Sequence, residues 1–179
     1  MIAAIAARPA FAVQCGDIIQ TDLTLTANLN CTGNGLRVFG PLLGIGDHAM
    51  LVNGATLGGH VIVEEWAVVG ALCPVHQFVR IGAHSYVGGG TTITQDVLPF
   101  SMTSAARETH AYLMNKVGLQ RRGFSKERIA KIHHAYKVLL ASKMNTSQAL
   151  EKLKSEADRG EDVDMLIRFI EASERGVIK

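Results

Sequence analysis

A six-residue period runs through the middle of this 179-residue chain and limits what it can fold into more than any other feature. From Ile45 the sequence reads IGDHAM, LVNGAT, LGGHVI, VEEWAV, VGALCP, VHQFVR, IGAHSY, VGGGTT and ITQDVL, and the pattern stops at Pro99. The first place is always aliphatic (Ile45, Leu51, Leu57, Val63, Val69, Val75, Ile81, Val87, Ile93), and the fifth, from Ala49 to Val97, is always small or β-branched. A step of six turns an α-helix through about 600° and scatters such residues around the cylinder, so helix periodicity does not produce the pattern. Short strands wound into a solenoid do, with the aliphatic residue inward and the small one beside it near the bend. Three blocks make one triangular coil of about 18 residues, and 45–98 holds about three coils stacked at roughly 4.8 Å.

The pattern fades upstream: FGPLLG (39–44) is a passable block, whereas GNGLRV (33–38) puts Gly33 in the aliphatic place. Three domains are therefore expected: a divergent segment over 1–38, a short β-helix over 39–100 and a helical domain over 101–179. In the last, THAYLMNKVGLQ (109–120) reads as a first helix. Ser125 N-caps a second helix, with Ile129, Ile132, Tyr136, Leu139 and Leu140 at three- and four-residue steps. A third starts at Thr146 or Ser147, and a fourth runs from about Asp162 to before Gly176.

Composition closes off several function classes. Eighteen Lys and Arg against sixteen Asp and Glu leave a net charge of +2, too balanced for bulk electrostatic binding of nucleic acid. Three cysteines without metal-ligand spacing (Cys15, Cys31, Cys73) argue against a disulfide framework and fit a reducing compartment. No apolar run is long enough to span a membrane. The start, MIAAIAARPAFAVQC, has the look of a short signal h-region but lacks a cationic n-region and is broken by Arg8 and Pro9. A cytoplasmic location is expected, without a cofactor or a resident metal.

Four motifs then occur in a telling order: ATLGGHV (55–61), VHQFVRIG (75–82), TQDVLPF (94–100) and GLQRRGFS (118–125). Over about residues 44–179 the chain resembles the UDP-N-acetylglucosamine O-acyltransferase family of lipid A synthesis. The resemblance implies a left-handed parallel β-helix of hexapeptide repeats followed by a C-terminal α-helical bundle. It also implies a homotrimer with active sites between subunits, moving a 3-hydroxyacyl group from acyl carrier protein to the sugar 3-hydroxyl of UDP-N-acetylglucosamine. Residue by residue, His60 matches a cleft-lining histidine, His76 and Gln77 match the HQ pair, Asn115 lies at the nucleotide end, and Arg121 meets phosphate. Adjacent Arg121 and Arg122 present forked donors suited to phosphate, although a solvated, salt-bridged surface would look the same. Gly89 falls where the family sets acyl-chain length, and Val117 stands where some members carry a nucleotide-contacting glutamate.

Register adds to this. His60 and His76 belong to one face on successive coils, while His48, Trp66 and His84 form a column on another. That column reads as subunit packing, or as a metal site made across a trimer, as in the solenoidal carbonic anhydrases.

Attack by a sugar hydroxyl on a thioester needs a general base near neutrality, and histidine is the usual choice. The resemblance places that base at Pro41 and its partner histidine at Val38, neither of which accepts a proton. The sugar-contacting N-terminal half of the family is also unmatched. The chain is expected to be either a truncated or frame-shifted product, impaired in acyl transfer with His60 as a residual base, or a shortened paralogue, a non-catalytic trimeric module that binds acyl carrier protein or nucleotide. Stoichiometric zinc would mark the metal-dependent alternative.

Overall fold

Winding six-residue blocks three to a turn brings every residue beside the one eighteen positions on, and the strand register follows that arithmetic. A computed structural model describes residues 37–38, 44–105, 109–142 and 144–179. Nine two-residue strands alternate with tight corners: β1 (Arg37–Val38), β2 (Gly44–Ile45), β3 (Met50–Leu51), β4 (Thr56–Leu57), β5 (Ile62–Val63), β6 (Val68–Val69), β7 (Pro74–Val75), β8 (Arg80–Ile81) and β9 (Tyr86–Val87). They stack in parallel into three faces, β2-β5-β8, β1-β4-β7 and β3-β6-β9, so that Ile45 lies beside Val63 and Val63 beside Ile81. Seven of the eight aliphatic first-place residues from Ile45 to Val87 are buried, as are the fifth-place residues from Ala49 to Thr91; Leu51 is partly covered. The fold is the left-handed parallel β-helix with a helical C-terminal region.

Close stacking explains the second-place glycines. A Cβ on Gly58 would lie 2.5 Å from the backbone nitrogen of Gln77 on the next coil, and one on Gly82 would lie 2.5 Å from that of Pro99. The fourth place of each block turns the corner in the left-handed backbone region, which bulky residues ordinarily avoid. His48, His60, Trp66, Leu72, Phe78, His84 and Phe100 all adopt φ between 55° and 67° there.

The period breaks at both ends of the described stack. Val38 pairs with Leu57, nineteen residues on, so the block before Ile45 is seven long. At the far end Ile93 pairs with Val75, but it is Val97 that pairs with Ile81, so the last block, read in sixes as ITQDVL, is only four residues long. Val97 therefore occupies an inward first place, not the fifth place that counting assigns it. Asp96 repairs the shortened turn: its Oδ1 accepts from the Arg80 backbone N–H at 2.9 Å, where a regular coil would offer a carbonyl. Its Oδ2 accepts from Ser173 Oγ at 2.8 Å, and its backbone bridges Val177.

Two further corrections follow. The stack continues past Pro99, because β10 (Ser101–Ala105) lies parallel to β9. The helix expected over 109–120 is in its first half a strand, β11 (Thr109–Met114), antiparallel to β10. Helix-forming Ala111, Leu113 and Met114 are overridden there by pairing with a sheet edge already formed. Only α1 (Lys116–Arg121) is helical.

The remaining helices match expectation. Ser125 Oγ accepts from the Arg128 N–H to cap α2 (Lys126–Tyr136), which runs on through a π-helical turn (Lys137–Ala141). Asn145 and Gln148 form a capping box on α3 (Thr146–Ser155), and α4 (Glu161–Glu171) opens on Gly160 with acidic residues in its first turn. Leu119, Ile132, Ala135, Leu153, Val163 and Leu166 fill the core between them. The helices are tied to the solenoid by Tyr136, whose hydroxyl donates to the Pro99 carbonyl, and by Arg80, whose guanidinium lies 4.2 Å from the Phe169 ring centre.

Candidate functional site

Because each fourth-place residue turns a corner, its side chain stacks on the one a coil below, and each corner becomes a column. The corner following β4 and β7 holds His60 on Phe78, ring centres 4.9 Å apart and within 4° of parallel. His76 and Gln77 are on the same corner, exposed, and His76 Nδ1 is 3.0 Å from the Gln77 carbonyl oxygen. A carbonyl only accepts, so this contact needs the proton on Nδ1 and leaves the Nε2 lone pair free to take a proton. His60, Phe78, His76 and Gln77 thus share one polar and aromatic corner.

The corner following β2 and β8 holds a longer column: His48 on Trp66 at 4.0 Å, Trp66 with His84 at 6.3 Å, and His84 with Phe100 at 5.8 Å. Here the helical region covers the rings. Phe124 meets His84 edge-on at 4.9 Å, the Arg122 guanidinium lies 5.3 Å over Trp66, and His84 is 8% exposed. Burial first, and then the Arg122 charge, push the His84 pKa down to about 4, so the imidazole is neutral at ordinary pH. Burial also lowers the pKa of Arg122. Arg128 lies 4.0 Å over Phe124 and forms a two-pronged pair with Asp162 at 2.8 and 2.7 Å. The expected column is real, and within one chain it serves as docking ground for the helices.

The other sequence-selected residues divide between corners. Asn115, 7% exposed, is engaged at both ends of its side chain: Nδ2 donates to the His84 carbonyl at 3.0 Å, and Oδ1 accepts from the Gly118 N–H at 3.1 Å, capping α1. Arg121 ends α1 in the open, and Val117 is 56% exposed. Arg122 faces the ring column and not solvent alone, because its Nη1 is 3.4 Å from His84 Nδ1. Gly89 lies at the third corner, exposed, where a Cβ would meet the Ala71 carbonyl at 3.3 Å. The selected residues therefore occupy three different corners of one prism: His60, His76 and Gln77 on the first, Asn115, Arg121 and Arg122 beside the second, and Gly89 on the third.

Sequence reasoning missed Phe78 as the partner of His60, though its eighteen-residue offset and shared fourth place give it away. Pro41, Cys15 and Cys31 lie outside the described residues, as does the side chain of Val38. Cys73 is a buried free thiol whose Sγ donates to the Gly88 carbonyl. Among the described residues no three His, Cys, Asp or Glu side chains converge as a metal centre, and no helix is long and apolar enough to cross a membrane.

Residues 96–178 match the family described as UDP-N-acetylglucosamine O-acyltransferase, domain 2. The chain is 39% identical over 139 residues to the acyl-[acyl-carrier-protein]–UDP-N-acetylglucosamine O-acyltransferase of Burkholderia mallei (strain SAVP1), covering 75% of this chain and 53% of that protein. The solved UDP-N-acetylglucosamine acyltransferase of Francisella novicida superposes with a TM-score of 0.72 at 33% identity, covering 75% of this chain and 49% of that one. That of Campylobacter jejuni gives 0.69 at 30% identity, covering 79% and 52%. The chain thus spans about half the length of the relatives it matches. In its coils, in the helices that follow them and in the motifs they carry, the chain is similar to the C-terminal portion of the UDP-N-acetylglucosamine O-acyltransferase family.

Proposed function

We propose that this chain carries the carrier-protein, acyl-chain and nucleotide determinants of an acyl-[acyl-carrier-protein]–UDP-N-acetylglucosamine O-acyltransferase, the first step of lipid A biosynthesis, and that its own transfer activity is impaired. The observation that supports this reading is the division of the selected residues among three corners. One copy cannot bring His60, His76 and Gln77 against Arg121 and Gly89, whereas the corners of neighbouring copies can meet, as in a homotrimer with sites between subunits. In the reaction a base takes the proton of the sugar 3-hydroxyl as its oxygen attacks the thioester carbonyl, and the carrier's thiol leaves with a proton. His76, with Nε2 open, and His60 beside it are the groups here that can accept that proton. Pro41, at the usual position of the base, cannot. The protein so read works in the cytoplasm, where acyl carrier protein and UDP-sugars are met.

The test is an assay of the purified chain with UDP-N-acetylglucosamine and 3-hydroxyacyl carrier protein. Both ligands are expected to bind and product to form only in traces. Ordinary turnover would overturn the impairment, and failure to bind either substrate would overturn the whole assignment.

A further inference from the structure

Helix α1 is only six residues long, with no acidic residue in its first turn, and depends on outside contacts for its placement. Both of its ends are held by one residue of the solenoid. Its N-cap, Asn115, donates from Nδ2 to the backbone carbonyl of His84 at 3.0 Å, and its C-cap, Arg122, brings Nη1 to 3.4 Å from the ring Nδ1 of the same residue. His84 is in turn held by three rings: Trp66 and Phe100 lie along its column and Phe124 meets its edge.

We propose that His84 is a positioning residue for the nucleotide end of the site, a clamp that holds α1, and with it Arg121, in one place on the solenoid. This rests on the functional reading above, in which α1 carries the nucleotide determinants. The clamp requires a neutral imidazole with its proton on Nε2, because Nδ1 must accept from Arg122. The charged groups around the ring are Arg122 at the end of α1, Arg128 of α2 over Phe124, and Asp162 of α4, which Arg128 binds. Burial and the nearby guanidinium hold the ring neutral, its pKa pushed down to about 4. The role is distinct from catalysis, because the ring is turned into the protein and its exposure is 8%.

Two substitutions separate the clamp from ordinary packing. His84→Phe keeps an aromatic ring in the column and removes the acceptor. His84→Asn restores an acceptor, and asparagine tolerates the left-handed φ of 57° at this corner. In the full chain, calorimetry with UDP-N-acetylglucosamine is expected to show binding about tenfold weaker for His84→Phe, the scale of one lost hydrogen bond, and largely recovered in His84→Asn. Affinity for 3-hydroxyacyl carrier protein is expected to stay unchanged in both. Long-range nitrogen NMR of the unaltered chain should show His84 protonated on Nε2 alone at neutral pH. The clamp is overturned if His84→Phe binds the UDP-sugar as tightly as the unaltered chain, if both ligands weaken together, or if the proton is found on Nδ1. If the unaltered chain binds no UDP-sugar while the Nε2 tautomer is seen, the functional reading has failed and the inference built on it falls too, with the geometry intact.

Discussion

The corner of His60 and the corner of His84 are built from the same local rule and end in opposite circumstances. Both put a histidine at the fourth place of a block, both turn through a left-handed residue, and both stack the imidazole on a ring one coil away. At His60 the column ends on Phe78, which is 52% exposed, and the corner faces out. At His84 the column runs on to Phe100 and is roofed by Phe124 and Arg122. The repeat therefore fixes where a side chain stands, and what docks against it decides whether it is a chemical surface or a structural joint.

Breaking the coil beneath either corner should have the largest effect. Gly82→Ala drives a Cβ into the backbone of Pro99, and Gly58→Ala drives one into the backbone of Gln77. Each is expected to cost about 3 kcal/mol, near the top of the range for overpacking, read from urea unfolding. Equal losses would show the two corners to be alike at the level of the coil.

Removing the roof should then separate them. Phe124→Ala is expected to cost about 3 kcal/mol, because it opens the joint, whereas Phe78→Ala at the exposed corner should cost under about 1 kcal/mol. Comparable costs would mean that the helical region does not bear on His84.

A third contrast is in pH. The His84 pKa is lowered in the folded chain to about 4, so the unfolded chain binds the proton first as pH falls below about 6.5. The stability this contributes is fully present above about pH 6.5 and is lost progressively as pH drops toward 4. Thermal melts across that range should lose less in His84→Phe than in the unaltered chain. The smallest effect is expected at the Arg80 contact, where Phe169→Leu removes a cation–π interaction worth about 0.5–1 kcal/mol and keeps most of the apolar contact.

Much of this was legible in the sequence. Aliphatic and small residues at fixed places specify inward packing wherever the coil is regular, and the same counting put Trp66 between His48 and His84. The four-residue block is hidden in the sequence because Val97 fits a fifth place as well as a first, and only the pairing with Ile81 distinguishes them. The residues of the strand at Thr109–Met114 favour a helix by themselves, and the partner that overrides them is a sheet edge outside the local window. For the site, register alone places His60 and His76 on one face. It did not show that the Asn115 amide and the Arg122 guanidinium turn toward His84, because those contacts cross more than thirty residues and depend on how the helices dock.

The left-handed corners have a wider consequence. Their backbone shape is imposed by the winding of the coil, so histidine, tryptophan, leucine and phenylalanine all accept it at the same place in successive blocks. A scaffold of this kind works as an evenly ruled rack: reagents can be exchanged at its edges one rung at a time, while the frame that spaces them stays as it was.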